Sequence, residues 1–161
     1  MRIFSLLVVG LAVALNCYSQ DAVKQKTSKV AYGEVLSVSG PTVFTGNFDM
    51  RFKGQKGFGA HAGFGVLGSG GGGSILIIPF GINYLFGKST HFVEGGLGST
   101  ILTIAGSPYI TGESVILIVP SAGYRYQPTT NGISVRVFIS PWVIPSGGAI
   151  LAGGLSLGYK F

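Results

Sequence analysis

From residue 29 onward large apolar side chains recur at every second position, a period that predicts β-strands whose two faces meet different surroundings. In the segment 42–53, Phe44, Gly46, Phe48, Met50 and Phe52 share one face, while Thr45, Asn47, Asp49 and Arg51 share the other. The segment 75–87 sets Ile78, Phe80, Ile82, Tyr84 and Phe86 against Gly81 and Asn83. In 115–127, Ile116, Ile118, Ala122, Tyr124 and Tyr126 oppose Ser121, Arg125 and Gln127. In 149–161, Leu151, Leu155, Leu157, Tyr159 and Phe161 oppose Ser156 and Lys160. Clusters of Gly, Pro, Ser, Asn and Lys punctuate the pattern, which predicts eight strands: 29–38, 42–53, 57–68, 75–87, 91–104, 115–127, 132–143 and 149–161.

The chemistry of the two faces separates a soluble sandwich from a membrane barrel. A sandwich turns its large apolar face inward and covers the other with Lys, Glu, Asp and Arg. Here the second face is mostly Gly, Ala, Ser and Thr with a handful of charges. A barrel in lipid inverts the arrangement, with large apolar residues outward and a narrow lumen for small residues and paired charges. The expected fold is therefore an all-β, eight-stranded antiparallel up-and-down transmembrane β-barrel over 29–161. The connections agree. KGQK (53–56), GKST (87–90) and PTTN (128–131) are tight, whereas 69–74, 106–114 and 144–148 are mostly longer or glycine-rich. Outer-membrane barrels alternate short periplasmic turns with longer outer loops, and an even strand count leaves both termini in the periplasm.

Composition changes the picture in the same direction. Only 10% of the residues are charged and glycine occurs 28 times, where a soluble domain carries about 25% charge and about 7% glycine. Past the N-terminus there is no run of about 18 apolar residues, so spanning helices are not expected. Arg2, the apolar run 3–15 and Asn16-Cys17-Tyr18-Ser19 read as a secretory signal peptide over 1–19, cleaved after Ser19, followed by a flexible periplasmic lead over 20–28. A rival reading makes Cys17 a lipidated cysteine, for which Asn16 is a poor preceding residue. Cys17 is also the one cysteine of the sequence, so the mature chain has no disulfide and no cysteine-type zinc site.

The terminal string GGLSLGYKF (153–161) resembles the C-terminal signal, here Leu157, Tyr159 and Phe161, by which bacterial outer-membrane barrels are recognised by their assembly machinery. Together with GINYLFGKSTHFVEGGLG and GYRYQP, it resembles small outer-membrane barrel proteins of the Bacteroidota, loosely grouped with OmpA-like and OmpX-like barrels. The resemblance covers most of residues 40–161 and implies fold and place: the outer membrane of a Gram-negative bacterium, in contact with phospholipid, lipopolysaccharide and the barrel-assembly machinery. It implies no activity. A monomer is expected.

Alternation places Glu34, Asp49, Arg51, His61, Asn83, Glu94, Arg125, Arg136 and Lys160 in the lumen. Asp49, Arg51, Glu94, Arg125, Arg136 and Lys160 also lie within about five residues of a periplasmic turn, so they are expected to form one lumen charge network. Such a network closes the bore and pairs charges that are costly to bury alone. A gated ion path is the sharper alternative. A lipid-modifying enzyme needs a nucleophile, a base and an orienting acid. His91 and Ser99 share the lipid face about 26 Å apart at about 3.3 Å per residue, and Glu94 points the other way, so no catalytic residues are expected.

With two histidines at unrelated positions, neither a metal nor a cofactor is expected. GKS (87–89) resembles the end of a phosphate-binding loop, but Ile82 stands where the earlier glycine belongs and no helical period follows. The formal charge of +6 suggests nucleic acid, yet the lysines sit in the lead and turns and the aromatics on the lipid face, so no basic groove with stacking platforms forms. Three functions stay open: a structural or loop-presenting barrel, a lipid-modifying enzyme, and a narrow channel.

Overall fold

The structure, a computed structural model, describes residues 27–38, 41–68, 74–105, 114–145 and 147–161. The expected signal peptide and most of the lead lie outside them. Eight strands follow in order: β1 (Lys29–Val38), β2 (Thr42–Arg51), β3 (Gly57–Gly68), β4 (Ser74–Lys88), β5 (His91–Ala105), β6 (Ser114–Tyr126), β7 (Gly132–Val143) and β8 (Ala149–Lys160). Each pairs antiparallel with the next, and β8 returns to β1, closing the barrel. The seam runs from Val30 opposite Lys160 to Val38 opposite Ala152. Closure leaves no strand edge with unpaired amides, the condition for strands to cross lipid.

The strand bounds agree with the alternation to within two residues. β2 ends at Arg51, before Phe52, because the chain bends there and the Phe52 amide donates to the Phe58 carbonyl at 3.0 Å. The string GKS proves to be a hairpin tip: Lys88 pairs with His91, and between them Ser89 takes a positive φ of 63°. The start of β1, the end of β8 and the tight turns after β2, β4 and β6 share one end of the barrel, the turn end. The other is the loop end.

Large apolar side chains face outward on every strand. Phe44, Phe48 and Met50 on β2, Ile78, Phe80, Ile82 and Phe86 on β4, and Leu151, Leu155, Leu157 and Tyr159 on β8 are all exposed. A soluble protein rarely exposes a patch above a few hundred Å², whereas this belt encircles the barrel, as hydrocarbon requires.

The interior differs from the small and polar lumen that the alternation suggests. Its turn-end half is charged, but its loop-end half is an apolar core of Leu36, Val43, Ile77, Leu117, Phe138, Trp142 and Ala152. The two levels meet where the Arg136 guanidinium lies over the Phe138 ring, 4.0 Å from its centroid. Three prolines stand inside strands, and two ladders skip beside them. The β3–β4 ladder is interrupted, in unchanged register, between Ala62 opposite Phe80 and Gly65 opposite Ile77, next to Pro79. The β6–β7 ladder is interrupted, in unchanged register, between Ile118 opposite Val143 and Ala122 opposite Ile139, next to Pro120 and Pro141. A proline offers no N–H to a ladder. At the second gap Ser140 Oγ donates to the Pro120 carbonyl at 2.8 Å.

Candidate functional site

The turn-end half of the lumen is one connected set of charges. Strand parity turns Asp49 and Arg51 of β2 inward together, and the register then sets their neighbours. Arg51 lies opposite Gly59, and an added Cβ on Gly59 would overlap its guanidinium. That missing side chain lets Arg51 fold back on Asp49, with Nε to Oδ1 at 3.1 Å and Nη2 to Oδ2 at 2.6 Å. Arg51 also donates to the Gly57 carbonyl at 3.1 Å and to Asn83 Oδ1.

Arg125 on β6 and Arg136 on β7 stand directly opposite each other. Two facing cations in a low-dielectric bore repel. Glu94 of β5 resolves this: its Oε2 accepts from Arg125 Nε at 2.8 Å and lies 3.2 Å from Arg136 Nε. Its Oε1 accepts from Asn83 Nδ2 at 3.0 Å, and Asn83 donates as well to Asp49 Oδ2 at 2.8 Å. Arg125 reaches Asp49 Oδ2 at 3.3 Å. Arg136 pairs with Glu34 of β1 at 3.0 Å, and Ser156 of β8 donates to the same Glu34 oxygen at 2.9 Å. The charges thus alternate in sign along Arg51, Asp49, Arg125, Glu94, Arg136 and Glu34. Three guanidiniums meet three carboxylates, the buried balance that a low-dielectric site demands.

The structure therefore brings together Asp49, Arg51, Glu94, Arg125 and Arg136 of the six expected residues. Lys160 sits nearer the turn end, where its Nζ donates to the Pro128 and Thr129 carbonyls at 2.6 and 3.0 Å. The reason is register: Lys160 lies opposite Val30 and Gly132, four residues beyond Ser156 along β8. Glu34 belongs to the network although it is remote in sequence from the tight turns 53–56, 87–90 and 128–131. Ser156 is opposite Glu34 on one side and opposite Arg136 on the other, so one row across β1, β8 and β7 carries all three. Parity placed Glu34 and Asn83 inward; only the register shows their depth.

Between the two levels lies a cavity of about 50 Å³ bordered by Glu34, Asn47, His61, Thr100, Arg136 and Phe138. It has room for a few waters. His61 Nδ1 has no hydrogen-bond partner among the described residues. His91 is on the outer face, hydrogen-bonded through Nδ1 to the Tyr124 hydroxyl and flanked by the Tyr126 ring. Ser99 is eight residues along β5, opposite Phe80 and Ile118. Among the described residues no three His, Cys, Asp or Glu side chains are grouped as metal ligands are. Leu157, Tyr159 and Phe161 project from β8 into the outer belt, and the Phe161 amide donates to the Lys29 carbonyl at 3.0 Å.

No protein-family model matches the sequence, and no curated protein does. Solved structures do. The N-terminal β-barrel domain of Pseudomonas aeruginosa OprF is similar with a TM-score of 0.61 at 15% identity, over 85% of this chain and 98% of that one. The Yersinia pestis outer membrane protein Ail in a phospholipid bilayer nanodisc is similar with a TM-score of 0.56 at 14% identity, over 84% and 99%. Neisserial surface protein A is similar with a TM-score of 0.54 at 14% identity, over 83% and 94%. At such identities the likeness is one of fold.

Proposed function

We propose that this chain is an outer-membrane protein of a Gram-negative bacterium, with the turn end and both termini in the periplasm, that acts as a sealed anchor for its outer loops and for envelope integrity. The observation that carries this reading is two seals in series. The charged network spans the bore at one level and the apolar core spans it at the next. A path for ions needs a continuous polar or aqueous route, and eight strands leave an interior about filled by side chains. The apolar belt supports contact with phospholipid and lipopolysaccharide, and GGLSLGYKF supports recognition by the assembly machinery. The strings GINYLFGKSTHFVEGGLG and GYRYQP support kinship with Bacteroidota-type small barrels.

Planar-bilayer conductance of the purified barrel tests the seal: baseline current is expected, and stable unitary steps would replace this reading with a channel. Lipid A and phospholipid composition with and without the protein tests the enzymatic alternative. An epitope at Gly71-Gly72 should be reachable on intact cells and one at Gly54-Gln55 should not; the reverse result inverts the orientation.

A further inference from the structure

The described acidic side chains are Glu34, Asp49 and Glu94, and all of them are taken up by buried guanidiniums. The balanced network leaves the formal excess of +6 to residues outside it. Its described part is on lysines, and all of these are at the turn end: Lys29, Lys53, Lys56, Lys88 and Lys160. The connections at the loop end hold no Lys or Arg at all. The barrel is therefore polarised, with a cationic collar where the belt meets water on one side only.

Part of that collar is shaped. Pairing of β3 with β4 stops at Gly57 opposite Leu85, while β4 and β5 continue to Lys88 opposite His91, so the β4–β5 hairpin stands above the rim beside the β2–β3 turn. A cleft of about 640 Å³ lies between them, bordered by Lys53, Lys56, Lys88, Tyr84 and Phe92. Its first wall is fixed. The Gly54 carbonyl accepts from the Ser28 amide at 3.1 Å, Arg51 holds the Gly57 carbonyl at 3.1 Å, and the Gln55 side chain donates to the Thr129 carbonyl across the mouth. Tyr84 joins the cleft to the outer belt, its ring centroid 4.8 Å from that of Phe58 in an edge-on contact and 4.3 Å from that of Phe86 in a tilted one.

We infer that this cleft binds the headgroup of an anionic glycerophospholipid in the leaflet that meets the turn end, with Lys53, Lys56 and Lys88 around the phosphate and Tyr84 and Phe86 against the upper acyl chain. Three cations with no described acidic side chain left to neutralise them attract a net negative group. A continuous aromatic surface beside them suits a lipid rather than a soluble anion, since aromatic rings favour the interfacial zone.

The test uses the whole barrel folded in detergent micelles, titrated with phosphatidylglycerol or with phosphatidylcholine of the same acyl chains, bound lipid being counted by native mass spectrometry. Phosphatidylglycerol should be retained in preference to phosphatidylcholine, and each Lys→Gln substitution in the cleft should weaken it about fivefold, the contribution of one basic residue near an anionic surface. The triple Lys→Arg variant should keep the preference. Unchanged retention in the triple Lys→Gln variant, with heat-modifiable gel mobility showing it folded, overturns the site. Equal weakening by Lys29→Gln, outside the cleft, overturns it in favour of a diffuse field. Displacement of the lipid by equimolar soluble glycerol phosphate overturns it in favour of a free-phosphate site.

Discussion

Replacing Glu94 by Gln keeps the shape of the side chain and removes one charge from the centre of the lumen. Glu94 Oε2 lies 2.8 Å from Arg125 and 3.2 Å from Arg136, and those arginines face each other across β6 and β7. Each contact at an effective dielectric of about 20 is worth about 4 kcal/mol or somewhat more. Part of that returns in the variant, because Glu94 no longer repels Asp49 and Glu34 and a neutral amide is cheaper to bury. Arg125 also retains Asp49 at 3.3 Å, and Arg136 retains Glu34 at 3.0 Å. What is left is one unmatched guanidinium beside another, and the expected loss is about 3 kcal/mol, the lower end for breaking a buried pair. Glu34 makes one ion pair and its side chain is about a tenth exposed, so Glu34→Gln should cost less, about 1–2 kcal/mol. Reversible urea unfolding from lipid vesicles reads both. If Glu94→Gln lies within about 1 kcal/mol of the parent, or if Glu34→Gln is the worse of the two, Glu94 is not the hub.

Other substitutions test the faces and the seals. Arg at Ile82 puts a charge into hydrocarbon and should cost about 2–4 kcal/mol in the same urea assay; a neutral result would mean the faces of β4 are reversed. Asn83→Ala should cost about 2–3 kcal/mol, because Asn83 bridges Asp49, Glu94 and Arg51 and its loss leaves them short of partners. Phe138→Ala should cost about 3–5 kcal/mol by hollowing the apolar level, while bilayer conductance stays at baseline because the charged level still closes the bore. Deleting Phe161 should reduce the yield of heat-modifiable protein in the membrane fraction, since it removes the amide bonded to Lys29 at the seam; normal yield would count against an assembly role for this residue.

Much of this molecule is legible in its sequence because lipid imposes a strict rule on the outer face. Phe44, Phe48 and Met50 on β2 and Leu151, Leu155 and Leu157 on β8 obey it without exception, and parity then assigns Asp49, Arg51 and Ser156 to the lumen. The rule fails where the inner face is apolar too. In β7, Val137 and Ile139 face outward while Phe138 and Trp142 face in, so the period of two dissolves and the inner core goes unseen. Depth is the other quantity that alternation cannot carry. Strands in a barrel are staggered, so distance from a turn measured in residues does not give height in the bore. Lys160 and Glu34 are the two residues this misplaces: the register of the β1–β8 seam lowers the first to the turn carbonyls and aligns the second with Arg136 through Ser156.

The packing of the lumen also bears on where a function can reside. Its large side chains lie against inward glycines on neighbouring strands: Arg51 over Gly59, Asn47 over Gly63, Tyr32 against Gly158, and Phe138 between Gly123 and Gly154. In the last case a Cβ on Gly123 would come within 2.6 Å of the Phe138 Cβ, and one on Gly154 within 2.5 Å of the far edge of its ring. Filling a bore by fitting each large group to a missing one leaves little freedom to rearrange, because close-packed interiors change by discrete repacking rather than by gradual opening. A gate would require at least one of these pairs to separate while its polar atoms found new partners in place of those that now hold Arg51, Asp49 and Glu94. On the proposed reading of a sealed cylinder, variation in what this protein does falls to its rims: the loops at one end, and at the other the lysine-lined cleft beside the β4–β5 hairpin.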